Sequence, residues 1–363
     1  MNKKILILVL FLLACRNQFN QDINGPAISL IHPEEGYVAS DFVKIQFEVI
    51  DDSDVFIMNL LVNGIMDSSD YEFETPNIYH FMLDVSEYES GSIKIRGIGE
   101  DEFGNPGTTD EIEIFIDNSL RFVSISAGIY LDSENIQSEI PYDYQMMTYP
   151  VTLGQYLVFL NEAYESNEIN IFDNKISGII NGNMRDFVRW GDSSSDYNIG
   201  AIDFIEDQFI AIDSSYIDHP ITGVTWYGSK AFADNYKMRL PTVAEWEKVA
   251  RGIFGYLYPW GNYNNSQLSN FDESQDPWEP GTTPVGYFNG DHQNTQDSKS
   301  PFGAYDMAGN VWEWTQNYVS GQGYILKGGS YQNLSFSQTT TNETTSFPSY
   351  FRDHFGFRCV RDF

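Results

Sequence analysis

The sequence predicts an α+β protein in two parts. An all-β sandwich is expected over residues 26–118, followed by a larger, irregular domain with a few short helices over residues 119–363. Three observations predict it. A chain of 363 residues is too long for one ordinary core. Short runs of alternating hydrophobicity fill the first part. Beyond Asn118 the composition turns to Trp, Tyr, Gly and Asn, and helix caps stand among aperiodic stretches. Hydrophobic residues at 42% and aromatics at 15% supply apolar surface for packed cores in both parts.

The chain opens on Met1-Asn-Lys-Lys4, a basic start, and Ile5 to Ala14 is an unbroken apolar run of ten residues. A spanning helix needs about 20, so residues 1–14 read as a signal peptide. Leu12-Leu13-Ala14-Cys15 resembles a bacterial lipobox, in which the cysteine is acylated before cleavage. That resemblance implies lipidation at Cys15, a polar tether over residues 15–25, and anchoring to a membrane of the bacterial cell envelope. The other reading is an ordinary signal peptide with an incidental cysteine.

Strands follow. Val43-Lys-Ile-Gln-Phe-Glu-Val49 is apolar at every odd position, as a half-buried strand requires. Ile57–Val62 closes on Asn63-Gly64, a pair that tolerates positive φ. Ile93–Ile98 and Glu111–Asp117 complete the pattern, and short strands at this spacing indicate a β-sandwich. Asp101-Glu-Phe-Gly-Asn105 resembles the D-x-x-G-N loop of bacterial immunoglobulin-like repeats, which implies an immunoglobulin-like spacer or adhesion module. Residues 22–117 hold 22 Asp or Glu against 3 Lys or Arg. Clustered carboxylates such as Asp51, Asp52 and Asp54 suit a hard cation. No EF-hand loop is present, and the favoured reading is a solvated surface.

In the second part Thr152-Leu-Gly-Gln155 is a capping box, with Tyr156, Phe159, Leu160 and Ala163 on one helical face. Trp226–Asn235 is a second helix. Thr242-Val-Ala-Glu245 caps a third, which ends near Arg251 and Gly252. Residues 255–363 hold few periodic stretches. So long an aromatic-rich loop needs a staple, and that need points to metal ions.

Seven motifs occur in order. They are Tyr149–Tyr156, His219-Pro220 with Val224-Thr-Trp226, Arg239–Glu247, Tyr258-Pro-Trp-Gly-Asn262, Gly303–Trp314, Lys327-Gly-Gly-Ser-Tyr331 and Gly356-Phe-Arg-Cys359. Over roughly residues 125–363 this set resembles the formylglycine-generating enzyme (sulfatase-modifying factor) family, whose irregular fold is similar to a C-type lectin. The resemblance implies a calcium site made by the side chains of Asp306 and Glu313 and the carbonyls of Gly309 and Val311. A turn with carboxylates at both ends and carbonyls between them suits a hard cation. The spacing alone favours a hydrogen-bonded turn capped by Glu313. A second calcium site is implied near Asn270 and Phe271. There Asp276 falls too early and Glu279 is a possible substitute.

The oxidase chemistry of the family uses two cysteines five positions apart, which bind copper(I). Those positions fall on Asn333 and Gln338. Amides are poor ligands for copper(I) and have no thiol redox chemistry, so copper is not expected. The chain has only two cysteines, and Cys359 reads as a small buried thiol. Two cysteines exclude a zinc ribbon, an iron–sulfur cluster and a multi-disulfide scaffold. His32, His80, His219, His292 and His354 form no H-x-H or H-E-x-x-H pair, and neither a P-loop nor a G-x-S-x-G elbow is present.

The expectation is therefore a non-catalytic, lipid-anchored scaffold that binds a glycan, peptide or envelope protein. Ser330, Tyr331, Asn333 and Gln338 are its candidate ligand-binding residues, and Ser335–Ser346 lies where variable lectin-like relatives bind. The alternative is an active oxygen-dependent oxidase. A formal charge of −32 argues against nucleic acid as a partner. Of that charge, −19 falls on residues 22–117.

Overall fold

The computed structural model describes residues 24–33, 37–39, 42–51, 55–67, 71–75, 77–85, 88, 91–116, 120–172, 175–189 and 202–362. The signal segment, Cys15, Asp52, Asp54, Asp117 and Asn118 lie outside the described residues. Contacts divide the chain into two compact units, Met1–Leu120 and Arg121–Phe363. The architecture is mostly sheet, with three α-helices among the described residues. None of these is long and apolar enough to cross a membrane.

In the first unit, alternation decides which side chains enter the core. Val43, Ile45, Phe47 and Val49 are buried along Phe42–Ile50, and the residues between them are not. That strand lies between Ala27–His32 and Ile78–Asp84 in a four-stranded sheet. A second sheet is built around Gly91–Asp101, flanked by Val55–Val62 and Ile112–Ile116. Both sheets feed one core that includes Phe47, Phe81, Leu60, Ile95 and Ile114. A Cβ at Gly97 would come within 2.6 Å of the Phe47 ring, so the close approach there needs glycine. Asn63 and Gly64 turn the chain at φ 50° and 77°. In the Asp101–Asn105 motif the aspartate accepts from the amides of Phe103 and Asn105, each at 2.8 Å, so that carboxylate is committed to holding its own loop.

The second unit starts and ends in one sheet. Tyr144–Met147 runs antiparallel to Phe122–Ile125 on one side and to Val360–Asp362 on the other. The three helices are Leu153–Glu165, Trp226–Asn235 and Val243–Arg251, each opened by a threonine cap. The capping boxes at Thr152/Gln155 and Thr242/Glu245 are both closed. Tyr156 and Phe159 of the first helix pack on Phe232 of the second, with ring centroids 5.9 and 5.7 Å apart. The third helix packs Trp246 and Val249 into a core with Tyr144, Met307 and Val360. Between Gly252 and Val311 there is no named helix or strand. Regular pairing resumes at Trp312–Val319, which joins Gly323–Lys327 and Phe355–Gly356 in a four-stranded sheet.

Candidate functional site

Four of the seven motifs, Arg239–Glu247, Gly303–Trp314, Lys327–Tyr331 and Gly356–Cys359, meet through buried polar groups. Arg239 forks onto Glu245, Nη1 to Oε2 at 2.8 Å and Nη2 to Oε1 at 2.6 Å, while the same carboxylate caps the third helix. The next helical residue, Trp246, donates its indole N–H to Oε2 of Glu313 at 2.8 Å. Arg358 grips that carboxylate through Nε at 2.8 Å and Nη2 at 2.7 Å. Its other donors reach the carbonyls of Met147, Thr148 and Tyr305. Glu247 receives the Lys327 ammonium at 2.8 Å and the Ser133 amide at 3.0 Å. The Glu313–Arg358 pair has 0% exposure on both sides, so it persists only with its hydrogen bonds complete. A staple of buried ion pairs therefore already exists where the aperiodic sequence called for metal.

The turn before Glu313 is tightly determined. Gly309 has φ +83°, and a Cβ there would lie 2.2 Å from the Asn270 carbonyl oxygen. Asp306 is buried and accepts from the Gly286 amide at 2.6 Å. Burial pushes its carboxyl up to about 6, against the pull of that amide and of Arg358 and with the push of Glu313. Two carboxylates and the Gly309 and Val311 carbonyls match calcium in donor type. Glu313, however, already holds three N–H donors from Arg358 and Trp246. Among the described residues Asp306 is the member of the set without an ion-pair partner.

At the implied second calcium site the side chains of Asn270 and Phe271 are both buried. The Asn270 amide donates to the Gly281 carbonyl at 2.8 Å, and its own carbonyl accepts from Asn310 N–H and Gln338 Nε2. Glu279, the possible substitute ligand, accepts from the amides of Glu273 and Gln275. Asp276 accepts from the Trp278 amide. Both carboxylates thus close local turns. Among the described residues no three His, Cys, Asp or Glu side chains are placed to hold one metal ion.

The glycine loop at 328–338 is locked by amides. Gln338 is 1% exposed; its Oε1 accepts from Ser269 Oγ at 2.8 Å, and its Nε2 donates to the carbonyls of Asn270 and Ser330. Asn333 Oδ1 accepts from both the amide and the hydroxyl of Ser330. Ser330 is fully buried. Of the four candidate ligand-binding residues, Ser330 and Gln338 are thus turned inward, because their polar atoms are consumed in holding the loop. Tyr331 lines a cavity, and its hydroxyl donates to Asp353 at 3.1 Å.

The family model for the Sulfatase-modifying factor enzyme 1-like domain matches residues 121–363. The chain belongs to that family. The formylglycine-generating enzyme of Mus musculus is 31% identical over 184 residues, 41% of this chain and 47% of that protein. The inactive C-alpha-formylglycine-generating enzyme 2 of Bos taurus is 29% identical over 161 residues, 40% of this chain and 50% of that protein. The serine/threonine-protein kinase Pkn1 of Chlamydia trachomatis serovar L2 is 32% identical over 173 residues, 42% of this chain and 26% of that protein. In each case the chain spans half or less of the relative it matches.

Within this sulfatase-modifying-factor domain the amides of Asn333 and Gln338 therefore stand as loop-holding groups. Cys359 is buried, with its thiol pushed well above its usual range by burial. Sequence reasoning missed the cavity that Tyr331 lines. It measures about 670 Å³ and is walled by the 212–222 segment, the 277–282 loop, Tyr331 and Asp353. His219, read from the sequence as part of a structural His-Pro motif, lines it as well. Leu153, His219, Pro220 and Tyr331 of its wall belong to motifs, but no one motif outlines the site, because the wall is assembled from stretches far apart in sequence.

Proposed function

We propose that this chain is a lipid-anchored bacterial envelope protein whose sulfatase-modifying-factor domain binds a ligand and does not oxidise a cysteine. The observation that carries the reading is the state of Asn333 and Gln338. At the positions implied for the copper-binding thiols, both side chains are amides already engaged inside the loop. Cys359, a buried thiol in the closing motif, is no substitute. The likeness to an inactive relative of the formylglycine-generating enzyme agrees with this reading. The first unit, two sheets over one core, serves as an immunoglobulin-like spacer between the anchor and the binding domain. Calcium at Asp306 would supply the counter-charge that carboxylate lacks.

Two experiments bear on the proposal. Incubating the protein with copper and a cysteine-containing sulfatase-type peptide should give no aldehyde. Palmitate labelling in bacteria should mark the wild type and be lost in Cys15→Ser; equal labelling of both would remove the anchor from the account.

A further inference from the structure

We propose that the cavity beside His219 binds an organic cation, a primary ammonium or guanidinium group on a short chain, between the carboxylates of Asp213, Glu279 and Asp353 and the rings of Tyr216 and Trp278. This deepens the reading of the domain as a binding module by naming the class of ligand.

Charge is the first argument. The lining carries three carboxylates and neither lysine nor arginine. Burial pushes the His219 imidazole down to about 4, so it stays neutral near pH 7. An anionic ligand is repelled by such a wall. A ligand rich in N–H donors is matched by it, and ammonium and guanidinium groups are donors only.

The carboxylates are also held in advance. Asp213 accepts from the amide and hydroxyl of Ser215. Glu279 is fixed by the amides of Glu273 and Gln275. Asp353 is fixed by Tyr331, Gln332 and His354. Acceptors positioned before binding reduce the ordering cost of recognition. Among the described residues no three such groups are placed to hold one metal ion.

His219 gives the second, independent argument. It is 1% exposed, its Nδ1 lies 3.0 Å from Thr282 Oγ1, and its Nε2 has no hydrogen-bond partner. Buried polar atoms without a partner are rare; in the tautomer whose Nδ1–H donates to Thr282 Oγ1, the bare Nε2 is an acceptor that an N–H donor would complete. The Tyr216 and Trp278 rings flank the imidazole at 4.6 and 5.7 Å. Their faces carry the negative end of the aromatic quadrupole, which attracts cations. A volume of about 670 Å³ suits a small organic molecule.

The test uses the full chain at low ionic strength, titrated with 1,5-diaminopentane and with argininamide while tryptophan fluorescence and heat are recorded. Both should bind, while glutarate and glucose should not. Asp353→Asn, which preserves shape, should weaken binding by about tenfold or more. Glu279→Gln, on an exposed turn, should weaken it too and serves as the deciding variant if Asp353→Asn unfolds. Absence of amine binding, equal binding of glutarate or glucose, or unchanged affinity in the folded variants would overturn the assignment. Aldehyde formation with copper would instead overturn the non-catalytic reading and leave the amine site standing.

Discussion

Gln338 shows how one side chain changes what a loop can do. Its amide makes three hydrogen bonds from a buried position, joining Ser269, Asn270 and Ser330. A thiol of similar reach would satisfy none of them well. Gln338→Ala should therefore destabilise the domain by about 2–3 kcal/mol, from buried groups left unpaired, measured by denaturant unfolding. A loss below experimental error would mean that the loop is held elsewhere. His219 makes a pH prediction. Its folded value is about 4, against an ordinary 6.5. Between those values the unfolded chain binds the extra proton, so stability should fall as pH drops from about 6.5 towards 4. His219→Gln should flatten that part of the profile, and an identical profile would contradict the burial argument. Neither role was legible from sequence. The alphabet shows that Gln338 is not a cysteine, but it does not show which partners converge on the amide.

At the scale of elements, the readable parts were those with local causes. Of the three described helices, the first and third were legible from their capping boxes, the first also from its 3.6-residue period and the third from its terminal glycine. Phe42–Ile50 was legible because its alternation is strict. Ile78–Asp84 was not. Tyr79, Phe81 and Leu83 are buried, but Ile78 and Met82 put apolar side chains on the other face and hide the period. The short strands Phe122–Ile125 and Val360–Asp362 escaped for another reason. Each pairs with Tyr144–Met147, and for the second the partner is some two hundred residues away in sequence. The turn carrying Asp306 supports a metal prediction. If calcium binds there, EDTA should lower the melting temperature of the wild type, and Asp306→Ala should remove that sensitivity. An unchanged melting curve would leave Glu313–Arg358 and Glu247–Lys327 as the staple by themselves.

For the whole molecule, charge and family membership have to be read unit by unit. The total is −32, of which −19 lies on residues 22–117, so the acidity is denser in the first unit than in the family domain, which is about twice as long. The local charge of the cavity comes from three carboxylates that no composition count could single out. The family was legible because its motifs are contiguous and ordered. The binding cavity was not, because it assembles from segments separated by tens of residues. On the proposed reading this domain keeps the family's scaffold without its oxidase chemistry. The most direct measurement is mass spectrometry of a sulfatase-type cysteine peptide incubated with the copper-loaded protein in air. A peptide of unchanged mass and no aldehyde-reactive product are expected. Conversion of the cysteine to formylglycine at a rate above the copper-only control would contradict it.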